Sequence, residues 1–268
     1  MKQNIKVGLA LSAGAMWGLA HIGVLEVLEE NSIPIDMVAG TSMGSVVGGL
    51  YCSGMKTSMM RKIAENVSLL EERKYLDFTI PNMGLLKGNK IKMLINTLTG
   101  GRRIEDLNIP FVAVSCCVED AQARYFREGS LADAVRASIA IPGIFEPVTI
   151  DGKTYVDGGV VERLPVNILR KMGADFIIAV DVGYRGGKNK TPESIFEVLF
   201  SVYDLLEWEA MKHKVSDADA TIHPAVKHIN PATFSQAKEC IDLGRKAALL
   251  QINELKLNMS MMGYSFKY

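Results

Sequence analysis

The 268-residue sequence is short of several things that would narrow its class at once. Its charge has no bias: Lys+Arg and Asp+Glu are 30 each, so no net field favours nucleic acid or a generally anionic surface. Four cysteines, at 52, 116, 117 and 240, have no zinc-type CxxC spacing. They read as reduced core thiols of a cytoplasmic protein, with no metal and no cofactor expected. No apolar run approaches the roughly 20 residues of a membrane span. The opening MKQNIKVGLALSAG is too short and too glycine-rich in its apolar part to be a secretory leader. Any lipid contact is therefore expected to be peripheral. No repeats and no linker interrupt the chain, which reads as a single domain over 1–268.

What is present is a large apolar fraction, 48% hydrophobic against 22% charged, enough for a sizeable core. IKVGLAL at 5–11 reads as a buried strand. Leu19, Ile22, Leu25, Val27 and Leu28 then recur at helical spacing. DMVAG at 36–40 is a second strand, and a helix carrying Val46, Val47 and Leu50 follows Ser42. This alternation predicts an α/β fold with a mostly parallel sheet and helices on both faces. Residues 55–105 read as mainly helical and polar. FVAVSCCVED at 111–120 reads as a central strand with ARYFRE as its partner, and Leu131–Ile139 as a short helix. PVTI-DGK-TYVDGG at 147–159 predicts a hairpin about Asp151-Gly152. Pro165–Met172 reads as a helix and DFIIAVDV at 175–182 as a buried strand. RGGKNK at 185–190 reads as an exposed loop, and Thr191-Pro192-Glu193 as the start of a helix. From Ile195 to Trp208 that helix is apolar nearly all round. It reads as buried on most sides, or else as a lid, a homodimer face or an acyl-chain contact. A strand near 219–223 and a helix from about 235 to 257 close a C-terminal part running from about 191 to 268.

Three features carry chemistry. Gly40-Thr41-Ser42-Met43-Gly44 lies between a strand and a helix. A serine on that sharp turn projects its oxygen into open space, and glycines two residues to either side relieve the crowding. The helix that follows aims free N–H groups at the serine. The small-residue loop Ser12–Gly18 lacks the Lys-Ser/Thr of a phosphate loop and does not match GxGxxG. It offers instead the N–H groups of Gly14 and Ala15, with that of Met43, as an oxyanion hole. Asp157, ahead of Gly158 and Gly159, stands on a loop with little steric cover. The serine needs a base. Of four histidines, His21 reads as a packing residue of an amphipathic helix, whereas His223 or His228 would complete a Ser…Asp…His order. Met55, Met59 and Met60, just past the serine helix, read as core or as an adaptable substrate pocket.

GLALSAGAMWGLAHIGVLEVLEE, GTSMG and ASIAIPGIFEPVTIDGKTYVDGGVVERLPV together resemble the patatin-like phospholipase family in type, order and spacing. The likeness covers about residues 5–182. It implies a three-layer α/β/α fold and a Ser–Asp dyad without histidine, with Ser42 as nucleophile and Asp157 as general base. It also implies hydrolysis of lipid or phospholipid esters through an acyl-serine, with water as the acyl acceptor. An acyltransferase, a small-ester esterase and a catalytically silent lipid-binding homologue are the other readings of the same scaffold. The family loop reads Gly-Gly-Gly-x-Arg/Lys-Gly. Here Ala13 and Ala15 replace glycines and Trp17 replaces the basic residue, so Trp17 becomes a candidate apolar wall of the substrate pocket with Met55 and Met59. Either alanine keeps its N–H, but a backbone requiring positive φ there would be strained. No role is assigned to Glu162-Arg163.

Overall fold

The computed structural model describes residues 5–69, 77–79, 83–183, 191–211, 217–232 and 234–266. The strand β1 (Val7–Leu11) is buried at every position, because alternate side chains enter two different cores. Leu9 and Leu11 join a large cluster on one face of the sheet, and Ala10 joins a smaller one on the other. The helix α1 (Ala20–Glu30) follows a one-turn 3₁₀ segment, Ala15–Leu19. Then come β2 (Met37–Thr41), α2 (Met43–Cys52), α3 (Thr57–Leu69) and α4 (Asn89–Leu98). The middle of the chain supplies β3 (Phe111–Cys117), β4 (Gln122–Phe126), α5 (Leu131–Ser138), β5 (Val148–Ile150) and β6 (Lys153–Asp157). The rest is α6 (Val166–Lys171), β7 (Phe176–Val180), α7 (Ile195–Met211), β8 (Ala220–Ile222) and α8 (Ala237–Met261).

The eight strands form one mixed sheet. β3, β2, β1, β7 and β8 pair parallel in that order, while β4 and β6 pair antiparallel to β3. The expected β5–β6 hairpin is present, and both turn residues, Asp151 and Gly152, have positive φ (51° and 76°). The register along β3 positions the site. Ala113 and Val114 pair with both β2 and β4, and residues 115–117 pair with both β4 and β6. A strand has two edges, so β2 and β6 share one. They meet end to end there, Thr41 opposite Val114 and Asp157 opposite Ser115. Residues separated by more than a hundred positions become neighbours through ladder hydrogen bonds alone.

Helices cover both faces, in agreement with the α/β expectation. α8 lies along α1 so closely that a Cβ on Gly23 or Gly244 would overlap the facing backbone. α6 packs on the opposite face through Ile168 and Leu169.

Several local expectations are corrected. Within 55–105, expected to be mainly helical, α3 and α4 are helices, whereas Phe78 bridges Leu86 and Leu86 bridges Phe145. The α7 helix begins at Ile195, where Ser194, not Thr191, accepts the Glu197 N–H. Nor is α7 buried on most sides. Asp204 and Glu207 face inward, whereas Ile195, Val198, Val202, Leu205 and Leu206 are exposed. α8 runs to Met261, past the expected end. The expected loop at 185–190 lies outside the described residues. Among the described residues, all four cysteines are free and buried, and no helix is long and apolar enough to cross a membrane.

Candidate active site

Ser42 stands at the junction of β2 and α2 with φ 53° and ψ −125°, a backbone state that costs a non-glycine residue about 1–3 kcal/mol. Packing holds it there. The Ser42 N–H donates to Ser138 Oγ (2.9 Å), and that hydroxyl donates onward to the Val114 carbonyl (2.6 Å). The Ser42 carbonyl accepts the Ser45 N–H and hydroxyl (2.8 and 2.7 Å), so the first turn of α2 closes on the elbow itself. Ser138, at the end of α5, was not legible as an anchor, because nothing local marks it.

The flanking glycines are sterically required. A Cβ on Gly40 would overlap the Gly44 carbonyl. A Cβ on Gly44 would overlap the Leu11 carbonyl and come within 2.7 Å of Ser12 O. Because these obstacles are backbone, Gly44→Ala is expected to lower unfolding stability by about 2–3 kcal/mol, read as a drop in the denaturation midpoint.

Asp157 ends β6 and is fully buried behind Ser42. Its Oδ1 accepts two hydrogen bonds, from Gly159 N–H (2.8 Å) and from the Tyr203 hydroxyl (2.9 Å). Its Oδ2 is buried with no partner at hydrogen-bond geometry, yet the Ser42 hydroxyl faces the carboxylate closely enough to lower its pKa. Burial outweighs that and the two donors on Oδ1, and raises the Asp157 pKa to about 6. A carboxylate so raised is a better proton acceptor near neutral pH than a free one.

The histidines lie elsewhere. His21 is buried in α1, its Nε2 against the Ser12 carbonyl (2.9 Å), and burial lowers its pKa to about 4. His223 Nδ1 lies 3.9 Å from Asp181, and His228 Nε2 lies 2.8 Å from Glu239. Neither is a partner of Asp157, so the Ser…Asp…His arrangement is not assembled.

Among the described residues, the N–H groups of Gly14, Ala15 and Met43 have no acceptor. Ala15, Ser42 and Met43 line the same cavity. Ala15 does take positive φ, 45°, where glycine would be unstrained. The loop is held around it: Ala13 N–H donates to Arg163 O (2.9 Å), Met16 N–H to Pro231 O (3.3 Å), and Trp17 Nε1 to Ile229 O (2.8 Å). Trp17 is thus a buried anchor to the C-terminal part and not a cavity wall. Glu162 and Arg163 also have a structural part. The Glu162 carbonyl accepts the Thr41 hydroxyl (2.9 Å), and Arg163 forms a buried pair with Asp181 (2.9 Å).

The cavity above Ser42 has a volume of about 510 Å³ and an almost wholly apolar lining. Leu19, Val47 and Leu50 close one side, Leu94, Ile95 and Leu98 of α4 another, and Phe196 and Phe200 of α7 a third. Met60 lines it, whereas Met55 and Met59 do not. α3 turns Met60 inward and leaves Met59 half exposed to solvent. Among the described residues no cluster of His, Cys, Asp or Glu is arranged to hold a metal.

A family model described as patatin-like phospholipase matches residues 9–170, from β1 through α6. An uncharacterized NTE family protein of Mycobacterium tuberculosis is 37% identical over 177 residues, 66% of this chain and 49% of that protein. Human patatin-like phospholipase domain-containing protein 6 is 36% identical over 66% of this chain, but over only 13% of its own length. Lysophospholipase NTE1 of Meyerozyma guilliermondii is 35% identical over 76% of this chain and 14% of its own. The chain therefore spans about half or less of the curated relatives it matches. The crystal structure of VipD from Legionella pneumophila superimposes on 94% of this chain and 67% of its own, with TM-score 0.57 and 12% identity, a likeness of fold alone. A serine elbow and a buried Asp-Gly-Gly turn, joined end to end along one strand and lying inside a matched segment of more than half the chain, identify it: the protein belongs to the patatin-like phospholipase family.

Proposed function

We propose that this chain is a serine-dependent lipid acyl hydrolase that uses a Ser42–Asp157 dyad without histidine. The observation that carries the reading is the opening of Ser42 onto a deep apolar cavity while a carboxylate with raised pKa lies directly behind it. In the first half-reaction Ser42 Oγ attacks the ester carbonyl carbon and its proton passes to Asp157 Oδ2. The negative charge that develops on the carbonyl oxygen meets the N–H groups of Gly14, Ala15 and Met43. The carbon–oxygen bond then breaks, Asp157 returns the proton to the leaving alcohol, and the acyl group stays on Ser42. Water attacks next. Its proton goes to Asp157, the acyl–Ser42 bond breaks, the proton returns to Ser42 Oγ, and a carboxylic acid leaves.

The volume and apolar lining of the cavity favour a substrate with one long acyl chain, such as a lysophospholipid. A polar alcohol portion would meet the polar lining residues Ser194, Glu197 and Asn230. Each methylene transferred from water to the cavity contributes about 0.8 kcal/mol, a factor of about four. With p-nitrophenyl esters, kcat/KM is expected to rise about fourfold per methylene until the cavity is filled. A preference for acetate would point to a small-ester esterase. Failure of Ser42 to react with any ester or fluorophosphonate would point to a silent binding protein.

A further inference from the structure

The α7 helix lies beyond the segment that matches the family model, yet it touches the most buried part of the site. Its inward face carries Phe196, Phe200, Tyr203 and Glu207, spaced by four, three and four residues as one helical stripe requires. The first two line the cavity, and the last two press on the Asp157-Gly158-Gly159 turn. A Cβ on Gly159 would overlap both the Tyr203 hydroxyl and Glu207 Oε1.

We propose that Tyr203 is the positioning residue of the Asp157 carboxylate, holding Oδ1 so that Oδ2 stays turned toward Ser42. The proposal rests on the dyad reading above. Both ordinary hydrogen bonds to the carboxylate, from Gly159 N–H and from Tyr203, fall on Oδ1. Oδ2 is left buried and without a partner at hydrogen-bond geometry, as an oxygen must be if it is to receive a proton from the serine. Without the phenol only the Gly159 N–H would oppose rotation about the Cβ–Cγ bond. Burial and the neighbouring acids push the Tyr203 pKa far up, so the phenol keeps the proton it donates.

Glu207, on the same face of α7, also bonds the Tyr203 hydroxyl, and the remaining groups around Asp157 leave Oδ1 to Tyr203 and the Gly159 N–H. Ser42 faces the Asp157 carboxylate from the elbow. Burial, then the Asp157 and Asp204 carboxylates, push the Glu207 pKa up, so this acid favours its neutral form. Asp204, next to Tyr203 in α7, is raised to about 7 by burial. Arg163 supplies the nearby positive charge, but its guanidinium is bonded to Asp181. The Cys116 thiol on β3 is pushed up and stays neutral. Among the described residues, Tyr203 is therefore the one side chain that donates a hydrogen bond to Oδ1.

The test is the pH profile of ester hydrolysis by the full chain. Loss of one donor to the ionised carboxylate should raise the acid limb of kcat/KM by about one pH unit in Tyr203→Phe, and lower kcat about fivefold at pH 6. KM should change less than twofold, since the phenol does not touch the substrate. Incorporating 3-fluorotyrosine at position 203 keeps the shape and makes a stronger donor, so the limb should move to lower pH. This second variant carries the test if the phenylalanine protein does not fold. An acid limb unmoved in the folded variants, with Asp157→Asn inactive, would overturn the positioning role and leave the dyad intact. Activity retained by Asp157→Asn would overturn the dyad and the role of Tyr203 with it.

Discussion

Ser42→Ala is expected to lower ester hydrolysis by at least about 10³-fold and to abolish labelling by a fluorophosphonate probe. The size of the effect follows from the elbow. The strained Ser42 backbone, the Ser138 anchor and the close approach of α2 to β1 all serve to present one oxygen to the cavity. The nearby serines are otherwise engaged: Ser45, Ser115 and Ser138 donate their hydroxyls to backbone carbonyls, and Ser12 Oγ accepts the Val182 N–H. Alanine accepts the same backbone state with no larger side chain, so the variant should fold normally. Circular dichroism and the melting temperature should match the parent while the rate is lost. Labelling that survives the substitution would place the reactive group elsewhere.

Asp157→Asn is the second large effect, and it acts in two directions. Removal of the base should cost about 10³-fold in kcat, near the middle of the range for a general base. In the parent protein, activity needs Asp157 ionised, so kcat/KM should fall as pH drops through about 6. Stability should move the opposite way. The folded-state pKa is raised from 3.8 to about 6, so the folded protein holds the proton more tightly than the unfolded chain. That contribution is fully present below the unfolded pKa and is lost as pH rises through about 6, a loss on the order of 3 kcal/mol at neutral pH. Asparagine carries no charge to bury and can still accept from Gly159 N–H and Tyr203. Asp157→Asn should therefore melt several degrees above the parent at pH 7 and close to it at pH 4. An inactive variant with no pH-dependent gain in stability would mean that Asp157 is not a buried ionised group. Stability given up at a functional carboxylate is the expected signature of a working site.

Much of this site was legible because its chemistry is written in short stretches. The GTSMG turn announces a strand before Ser42 and a helix after it, and its glycines are needed where backbone passes backbone. The Asp151-Gly152 turn announces the hairpin that ends at Asp157. Even the doubt about Ala15 was readable: an alanine in place of glycine implies strain if φ is positive, and φ is 45°. Where the reading went astray, a residue's type was right and its facing was not. Trp17 is apolar, as a pocket wall would be, but its indole N–H found the Ile229 carbonyl and turned the ring into the core. Met59 and Met60 are chemically alike, and the phase of α3 alone puts one in solvent and the other in the cavity. The α7 helix is apolar enough to suggest burial all round, yet its exposed stripe and its buried acids are separated only by how it lies on the Asp157 turn.

The sequence by itself determined the alternating strands and helices, the elbow at Ser42, the turn at Asp157 and the loop of free N–H groups, because each depends on residues within a few positions of one another. The tertiary structure alone decided which titratable side chain meets the serine. Asp157 and not a histidine lies beside Ser42 because β2 and β6 abut on one edge of β3, while His223 and His228 are drawn to Asp181 and Glu239. It alone brought Tyr203 and Glu207 to the carboxylate from a helix some forty to fifty residues further along. Such meetings are set by sheet register and helix packing, which join distant parts of the chain.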